Sequence, residues 1–199
     1  MSVADIKIED YRRSQAGADY RFLARWSPRA MSGQALTEEQ MQVLVEASRW
    51  SPSCFNSQPW RFVYSLRDDS HWDKFLGLLM DMNRAWANKA GALVVILSKN
   101  NFDDSCASSP TSAFDTGSAW MSMALQANSL GLVAHAMWGI HHDLVPEAIN
   151  LTEEVTVRGM AAIGYPGEVD GLPENYREKE VPSQRKPLES LMFRGNFGE

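Results

Sequence analysis

Two arginines and a serine lie within a short stretch near the start of the chain, and these residue types can bind phosphate. Arg25, Ser27 and Arg29 follow the pattern R-x-S-x-R. A guanidinium group binds phosphate through two parallel hydrogen bonds, and a serine hydroxyl can add a third. Arg25 and Arg29 also have the i, i+4 spacing of a solvated helix face. The spacing therefore leaves two alternatives, a phosphate site and an ordinary exposed helix.

The segment SPSCFNSQPW, residues 51–60, raises the question of a nucleophilic cysteine. Cys54 would need a base and an orienting group, and no histidine is near it in the sequence. A distant histidine could still approach it in the fold, but we interpret Cys54 as a packed or ligand-lining thiol. Pro52 and Pro59 stiffen the segment, and Pro59 favours an extended Gln58.

Several other chemistries have no motif in this chain. No G-x-G-x-x-G follows a predicted strand and no Walker sequence occurs, so neither a Rossmann nor a P-loop site is indicated. The histidines are His71, His135, His141 and His142. They form no H-x-x-x-H or H-E-x-x-H pair, and no metal site is predicted.

The composition is that of an ordinary globular protein. The 199 residues are 44% hydrophobic and 22% charged, which predicts one domain over residues 1–199. The net charge of −6 argues against nucleic acid as the main partner. No apolar run is long enough to cross a membrane, and the first residues do not resemble a signal peptide. With Cys54 and Cys106 widely separated, no disulfide framework is indicated, and we expect a cytoplasmic protein.

Hydrophobic periodicity predicts the elements that must position these residues. Helices are predicted over residues 8–25, 37–51, 71–89, 111–131 and 142–150. Strands are predicted over residues 60–66, 92–98, 133–138 and 155–166, with a mobile polar loop at 100–111. This order indicates an α/β or α+β layered domain. The alternation of helices and strands by itself favours a parallel sheet.

Two segments have patterns that bear on assembly. The helix at 111–131 has small and apolar residues all round it, which is typical of a helix buried inside a subunit or between subunits. Residues 165–199 are rich in glycine, proline and charge and have no steady period. We expect this tail to be disordered or wrapped over a partner.

The chain resembles the flavin-dependent nitroreductase superfamily from about residue 20 to residue 190. Members of that superfamily combine an R-x-S-x-[KR] motif with a P-S-x-x-N-x-Q-P-W loop. The matching segments here are RWSPRAM, SPSCFNSQPWRFVYS, LGLVAHAMWG, AIGYP and PSQRKPL. The resemblance implies an α+β fold with a central, mainly antiparallel sheet surrounded by helices. It also implies a homodimer with tightly bound, non-covalent FMN in two clefts at the interface, and a tail that embraces the partner.

The resemblance also assigns residues to the cofactor. Those around the FMN phosphate would be Arg25, Ser27, Arg185 and Lys186, with the backbone of Trp26. Arg29 would reach the pyrimidine edge of the flavin and stabilise its anionic reduced form. Ser183 replaces a cation found in many members, so the phosphate would depend more on Lys186.

Around the flavin ring, the resemblance assigns three further groups. The opposite subunit would supply Pro52, Ser53, Cys54 and Asn56. Asn83 would bind the polar edge of the ring. The strand segment Ala136, Met137, Trp138 and Gly139 would lie against the ring, with the Gly139 amide directed at N5. Trp138 stands where many members have an acidic residue and would narrow the cleft.

The implied activity is that of an FMN-dependent oxidoreductase. NADH or NADPH would donate a hydride, and a small electron-poor acceptor such as a nitroaromatic or a quinone would then be reduced, in a ping-pong mechanism. No side chain is expected to act as acid or base. Trp86, Trp120 and Trp138 are candidates to border the acceptor or are core residues. The alternatives are dehalogenation or flavin destruction, a non-catalytic flavin-binding protein, and a structural dimer without flavin.

Overall fold

A computed structural model describes residues 1–102 and 107–198. Within these residues the helices are α1 Tyr20–Ala24, α2 Glu38–Arg49, α3 Trp72–Gly77, α4 Asp81–Ala87, α5 Ser112–Ser129, α6 Val145–Ala148 and α7 Glu174–Arg177. The strands are β1 Trp60–Leu66, β2 Ala92–Lys99, β3 Val133–Met137 and β4 Val155–Gly164. Short 3₁₀ turns occur at Val3–Asp5, Ile8–Asp10, Cys54–Asn56, Val169–Gly171 and Leu188–Ser190.

The four strands form one sheet in the order β1-β2-β4-β3, and every neighbouring pair is antiparallel. The antiparallel sheet implied by the resemblance is therefore confirmed, and the parallel sheet favoured by the alternation of elements is wrong. Strands β2 and β3 do run in the same direction on either side of α5. They are not neighbours, however, because β4 lies between them and pairs with both.

The core has two layers, one on each face of the sheet. Strand β2 is buried along nearly its whole length, as its continuous apolar sequence predicts. Because successive side chains of a strand point to opposite faces, this one strand supplies both layers. The first layer includes Leu93, Val95, Leu97, Phe75 and Trp86. The second includes Val94, Ile96, Met41, Leu44 and Met123.

Two predicted helix boundaries are confirmed by their capping bonds. At the start of α2, the Gln40 backbone N–H donates to Thr37 Oγ1 over 3.2 Å, and the Thr37 N–H donates to Gln40 Oε1 over 3.0 Å. At the end of α5, Gly131 has a φ of 71° and the Leu132 N–H donates to the Ala127 carbonyl over 2.9 Å. Glycine takes this left-handed conformation at little steric cost.

The predicted helix at 8–25 is mostly wrong. Only Tyr20–Ala24 is α-helical, because Gly17 has a φ of 76° and interrupts the chain before it. Asp19 then starts the helix by accepting a hydrogen bond from the Arg21 N–H over 2.9 Å. The exposed-helix alternative for Arg25 and Arg29 is therefore excluded, since both follow the end of α1.

The predicted helix at 71–89 is divided into α3 and α4. Leu79 forms an isolated bridge with Ile140, and the Met80 N–H donates to the Gly139 carbonyl over 3.1 Å. These bonds replace helical ones between the two segments. They also bring α4 against the end of β3, which matters for the site below.

Helix α5 and the tail are each covered only in part within this chain. One face of α5 is buried, but Phe114 on another face is 82% exposed, so the helix is not covered all round within this chain. The tail is attached to the chain as far as Glu180, which is buried, and is mostly exposed from residue 183 onward. Residues 103–106 of the predicted loop at 100–111, including Cys106, lie outside the described residues.

Candidate functional site

Arg25 and Ser27 meet directly after α1. Arg25 Nη1 donates to Ser27 Oγ over 3.4 Å, while the intervening Trp26 packs its side chain against the core. The Nε of Arg25 is buried and has no hydrogen-bond partner among the described residues. Burial, together with the positive charge of Arg185, lowers the pKa of Arg25. A buried N–H without a partner is costly, so this group is suited to receive an anion.

The tail brings Arg185 to the same place. Arg185 Nη1 donates to the Ser183 carbonyl over 3.2 Å and to Ser183 Oγ over 3.0 Å. Lys186 is exposed and lines a groove beside the cluster. Arg185 is thus the tail cation whose charge acts on Arg25. The larger share of Lys186 in phosphate binding stays a prediction.

Arg12 belongs to this cluster, although nothing in the sequence distinguished it from its neighbour Arg13. Its side chain donates from Nε to the Ser183 carbonyl over 2.9 Å, and from Nη1 to the carbonyls of Leu23 and Arg25 over 2.7 and 2.9 Å. Burial, with the charges of Arg185 and Arg25, lowers the pKa of Arg12 to about 10. Only contacts made in the folded chain identify this residue.

Arg29 is held by a buried carboxylate that the sequence analysis also missed. Glu180 Oε1 accepts hydrogen bonds from the backbone N–H groups of Arg29 and Ala30, the latter over 2.8 Å. Glu180 Oε2 lies 3.5 Å from Arg29 Nη1, an ion pair that lacks hydrogen-bond geometry. The Arg29 guanidinium also lies over the Tyr176 ring, 5.6 Å from its centroid. The tail thereby fixes the last residue of the R-x-S-x-R motif.

His135 of β3 lies beside this segment. Its Nδ1 is 3.2 Å from the Pro28 carbonyl and must carry the hydrogen, because a carbonyl only accepts. Its ring packs against Trp86 with centroids 4.7 Å apart. Burial, and secondarily the charge of Arg29, lowers the pKa of His135 to about 4. Trp86 is only 2% exposed, so it is a core residue.

Asn83 and Gly139 are joined by the break between α3 and α4. Asn83 Nδ2 donates to the Gly139 carbonyl over 2.9 Å, and the Met80 N–H donates to the same oxygen. A Cβ at Gly139 would lie 2.7 Å from Asn83 Nδ2, so only glycine fits without displacing that side chain. The Gly139 N–H donates no hydrogen bond to any residue that the structure describes. This amide is suited to bind a ligand.

The three residues before Gly139 differ in whether their side chains are exposed to a ligand. Ala136 is exposed, whereas the Met137 side chain is buried in the core and can reach a ligand only through its backbone. Trp138 is 68% exposed and packs on His142 with ring centroids 4.3 Å apart. Trp120 is partly buried against the other core layer. Of the three candidate tryptophans, Trp138 is the one that stands at the surface near this site.

The loop at 51–60 has an unusual backbone. Phe55, Asn56 and Gln58 have φ angles of 51°, 55° and 46°. The expectation of an extended Gln58 before Pro59 is therefore wrong. Asparagine tolerates this conformation, but it costs other non-glycine residues free energy and persists only where surrounding contacts impose it.

Those contacts come from a buried carboxylate and a serine. The Cys54 N–H donates to Asp115 Oδ2 over 3.2 Å, and the Gln58 N–H donates to Ser53 Oγ over 3.0 Å. The Cys54 thiol is free and half-buried. Pro52 and Asn56 are exposed. The loop is thus held on α5 and presents polar atoms and the ring of Phe55 outward.

The predicted site residues therefore form two groups within one chain. The first group consists of the motif at 25–29, Arg185, Asn83 and the segment 136–139. Contacts of Arg12, Glu180, His135 and Trp86 link its members. The loop residues Pro52, Ser53, Cys54 and Asn56 make no hydrogen bond to that group within residues 1–102 and 107–198. No group of acidic, histidine or cysteine residues suited to a metal ion, and no helix that could span a membrane, occurs in the same ranges.

Together these features define a helix-flanked, antiparallel α+β protein that has a cationic cluster and, among its described residues, a backbone amide at Gly139 that donates no hydrogen bond. Comparison with known proteins gives the family. The Nitroreductase family model matches residues 23–83, which contain the R-x-S-x-R motif, the loop and Asn83. The chain belongs to the nitroreductase family.

Individual proteins are similar to this chain in sequence or in fold. One described as an oxidoreductase containing FMN is 39% identical, with a TM-score of 0.90 over 94% of this chain and 96% of the other. A nitroreductase family protein from Clostridium difficile shares the fold at 17% identity, with a TM-score of 0.69 over 91% of this chain and 100% of the other. An uncharacterised 15.4 kDa protein from Mycolicibacterium smegmatis is 29% identical over 65% of this chain and 86% of its own length.

Proposed function

We propose that this protein is an FMN-dependent oxidoreductase that uses NADH or NADPH to reduce small electron-poor acceptors. The observation that carries this proposal is the buried, unpaired Nε of Arg25, next to Ser27 and Arg185. A phosphate monoester would satisfy that N–H and compensate the clustered positive charge. The 39% identical structure, described as containing FMN, supports this ligand.

The residues present fit both ends of FMN. Arg25, Ser27 and Arg185 would hold the phosphate, with Lys186 at the rim and Trp26 contributing backbone. At the other end, the unpaired Gly139 N–H is a hydrogen-bond donor for the ring, and Asn83 holds the Gly139 carbonyl in place. Arg29, positioned by Glu180, would supply a cation at the pyrimidine edge.

When bound, FMN supplies the redox chemistry, accepting a hydride from the nicotinamide and reducing a nitroaromatic or quinone-like acceptor in a second half-reaction. The chain supplies orientation, charge and shape. His135 is neutral near pH 7 because its pKa is about 4, and it positions the Pro28 carbonyl through Nδ1. Trp138 would form one wall of the acceptor cleft.

We further propose a homodimer in which Pro52, Ser53, Cys54 and Asn56 complete the cleft of the partner. The absence of any hydrogen bond between this loop and the cation cluster within the described residues supports this arrangement. So do the exposed rings of Phe55 and Phe114, which are 89% and 82% exposed. We expect the protein to sediment as a dimer in analytical ultracentrifugation. A monomer that retains FMN would contradict the proposed homodimer. We place the protein in the cytoplasm, where the free Cys54 thiol stays reduced.

The test of the activity is the visible absorption of the purified protein. We expect flavin bands at isolation or after incubation with FMN, and loss of those bands on anaerobic addition of NADH or NADPH. Protein that stays colourless after incubation would refute flavin binding. Bands that persist with either nicotinamide would instead support a non-catalytic flavin-binding protein.

Arg25→Ala is expected to weaken FMN binding roughly 10- to 100-fold, the effect of losing one charge-assisted contact. Riboflavin, which lacks the phosphate, should bind both proteins alike. Fluorescence titration of each ligand measures the two dissociation constants. Arg21→Ala is the matched control, because Arg21 lies in α1, just before Arg25, and pairs with exposed Asp19. Unchanged FMN affinity in Arg25→Ala would show that the phosphate lies elsewhere.

A further inference from the structure

Three guanidinium groups of this chain, those of Arg12, Arg25 and Arg185, lie close together. Arg12, Arg25 and Arg185 form no ion pair with a carboxylate in the part of the chain that the structure describes. The positive charges of Arg25 and Arg185 repel the positive charge of Arg12. Arg12 is also only 7% exposed, so water screens this repulsion poorly.

The contacts of Arg12 connect two distant parts of the sequence. Its Nη1 binds two carbonyls at the end of α1, those of Leu23 and Arg25, and its Nε binds the Ser183 carbonyl. The Ser183 carbonyl also accepts a hydrogen bond from Arg185 Nη1. One buried side chain therefore sets the position of Arg25 and of the tail segment that carries Arg185.

The tail beyond Ser183 has few other attachments. The Leu188 N–H donates to Gln15 Oε1 over 2.9 Å, and most residues that follow are exposed. A groove of about 490 Å³ separates residues 184–191 from residues 12–23. Its lining includes Arg12, Arg13, Arg185 and Lys186 and, among the described residues, no acidic side chain. In a protein of net charge −6, this is a local concentration of positive charge.

We propose that Arg12 is a positioning residue that couples the phosphate site to the C-terminal tail, so that a bound phosphate monoester locks residues 183–192 onto the chain. The inference rests on the phosphate site of the proposed function and extends it. Without an anion, docking of the tail brings like charges together. A phosphate dianion bound between Arg25 and Arg185 replaces their repulsion with attraction. Arg12 transmits this change to the tail through its hydrogen bond to the Ser183 carbonyl.

Hydrogen exchange of the tail measures this coupling directly. Exchange of a peptide covering residues 187–193 is followed in the full-length protein without ligand and with saturating FMN, riboflavin or inorganic phosphate. This peptide contains the hydrogen-bonded amides of Leu188, Leu191 and Met192. We expect FMN and inorganic phosphate to slow exchange about tenfold, a typical coupling factor, and riboflavin to leave it unchanged. Equal slowing by FMN and riboflavin, or none by FMN, would overturn the proposal.

Variants separate the role of Arg12 from that of its charge. In Arg12→Gln, bound FMN should no longer slow exchange of the tail. Arg13→Gln removes the same charge from an exposed neighbour and should behave as the unaltered protein does. Arg12→Lys keeps the charge but not the planar fork, so FMN should bind within a few-fold of normal while protection of the tail is lost. Protection that persists in both Arg12 variants would refute the assignment.

The outcomes also separate this proposal from the proposed function. FMN that binds and is reduced without protecting the tail would leave the oxidoreductase intact and remove the coupling. If FMN does not bind, the oxidoreductase proposal fails, and the arm with inorganic phosphate still tests Arg12. Should Arg12→Gln not fold, Arg12→Lys and the comparison of FMN with riboflavin in the unaltered protein decide the matter.

Discussion

Glu180→Ala is expected to destabilise the fold by about 3–5 kcal/mol, the typical effect of removing one partner of a buried ionic contact. The Glu180 side chain is fully buried, and its Oε1 accepts hydrogen bonds from two backbone N–H groups, those of Arg29 and Ala30. Alanine would leave both N–H groups without an acceptor and the Arg29 guanidinium without its carboxylate. Urea denaturation followed by circular dichroism, at one protein concentration, measures the free energy of unfolding.

Two further variants test whether the Glu180 carboxylate is the cause of the expected loss of stability. Glu180→Gln keeps an acceptor oxygen for the two amides but loses the charge that pairs with Arg29, so we expect a smaller loss of about 1–2 kcal/mol. Glu178→Ala is the matched control, because Glu178 is exposed on the same segment, and its stability should be unchanged. If Glu180→Ala were as stable as Glu178→Ala, the carboxylate would not be what holds the tail to the R-x-S-x-R motif.

The stability of the protein is expected to fall by about 3 kcal/mol between pH 6.5 and pH 4 because of His135 alone. Its pKa is about 4 in the folded chain and near 6.5 when unfolded. As the pH falls through 6.5, the unfolded state binds a proton that the folded state does not, which favours unfolding. The contribution is thus fully present above pH 6.5 and is lost by pH 4.

The pH dependence of two variants isolates this effect. His135→Gln can still donate to the Pro28 carbonyl but cannot titrate, so the difference in its unfolding free energy between pH 6.5 and 4 should be smaller by about 3 kcal/mol. His71→Gln replaces an exposed histidine and serves as the control. Denaturant midpoints measured at half-unit pH steps, with equal flavin content in all samples, give the curve of stability against pH for each protein. Parallel curves for His135→Gln and the unaltered protein would contradict a neutral, half-buried His135.

The local elements of the fold were predictable where a short-range pattern defines them. Strands β1 and β2, the capping box at Thr37 and the glycine that ends α5 each depend on residues within a few positions. The break between α3 and α4 was not predictable, because the hydrogen bonds that replace the helix involve Gly139 and Ile140, which lie far from this segment in the sequence. The strand order was not predictable for the same reason, because β4 pairs with two strands, β2 and β3, that precede it in the sequence.

By itself, the sequence determined that this chain has an R-x-S-x-R motif, a P-S-x-x-N-x-Q-P-W loop and a buried central strand, and that it resembles nitroreductases. These are matters of residue type and spacing. Only the tertiary structure decided which charges meet: Arg12 with Arg25 and Arg185, and Glu180 with Arg29. The physical reason is that a hydrogen bond or an ion pair acts over a few ångströms of space, whatever the separation along the chain. More than 150 residues separate each of these tail groups from its N-terminal partner.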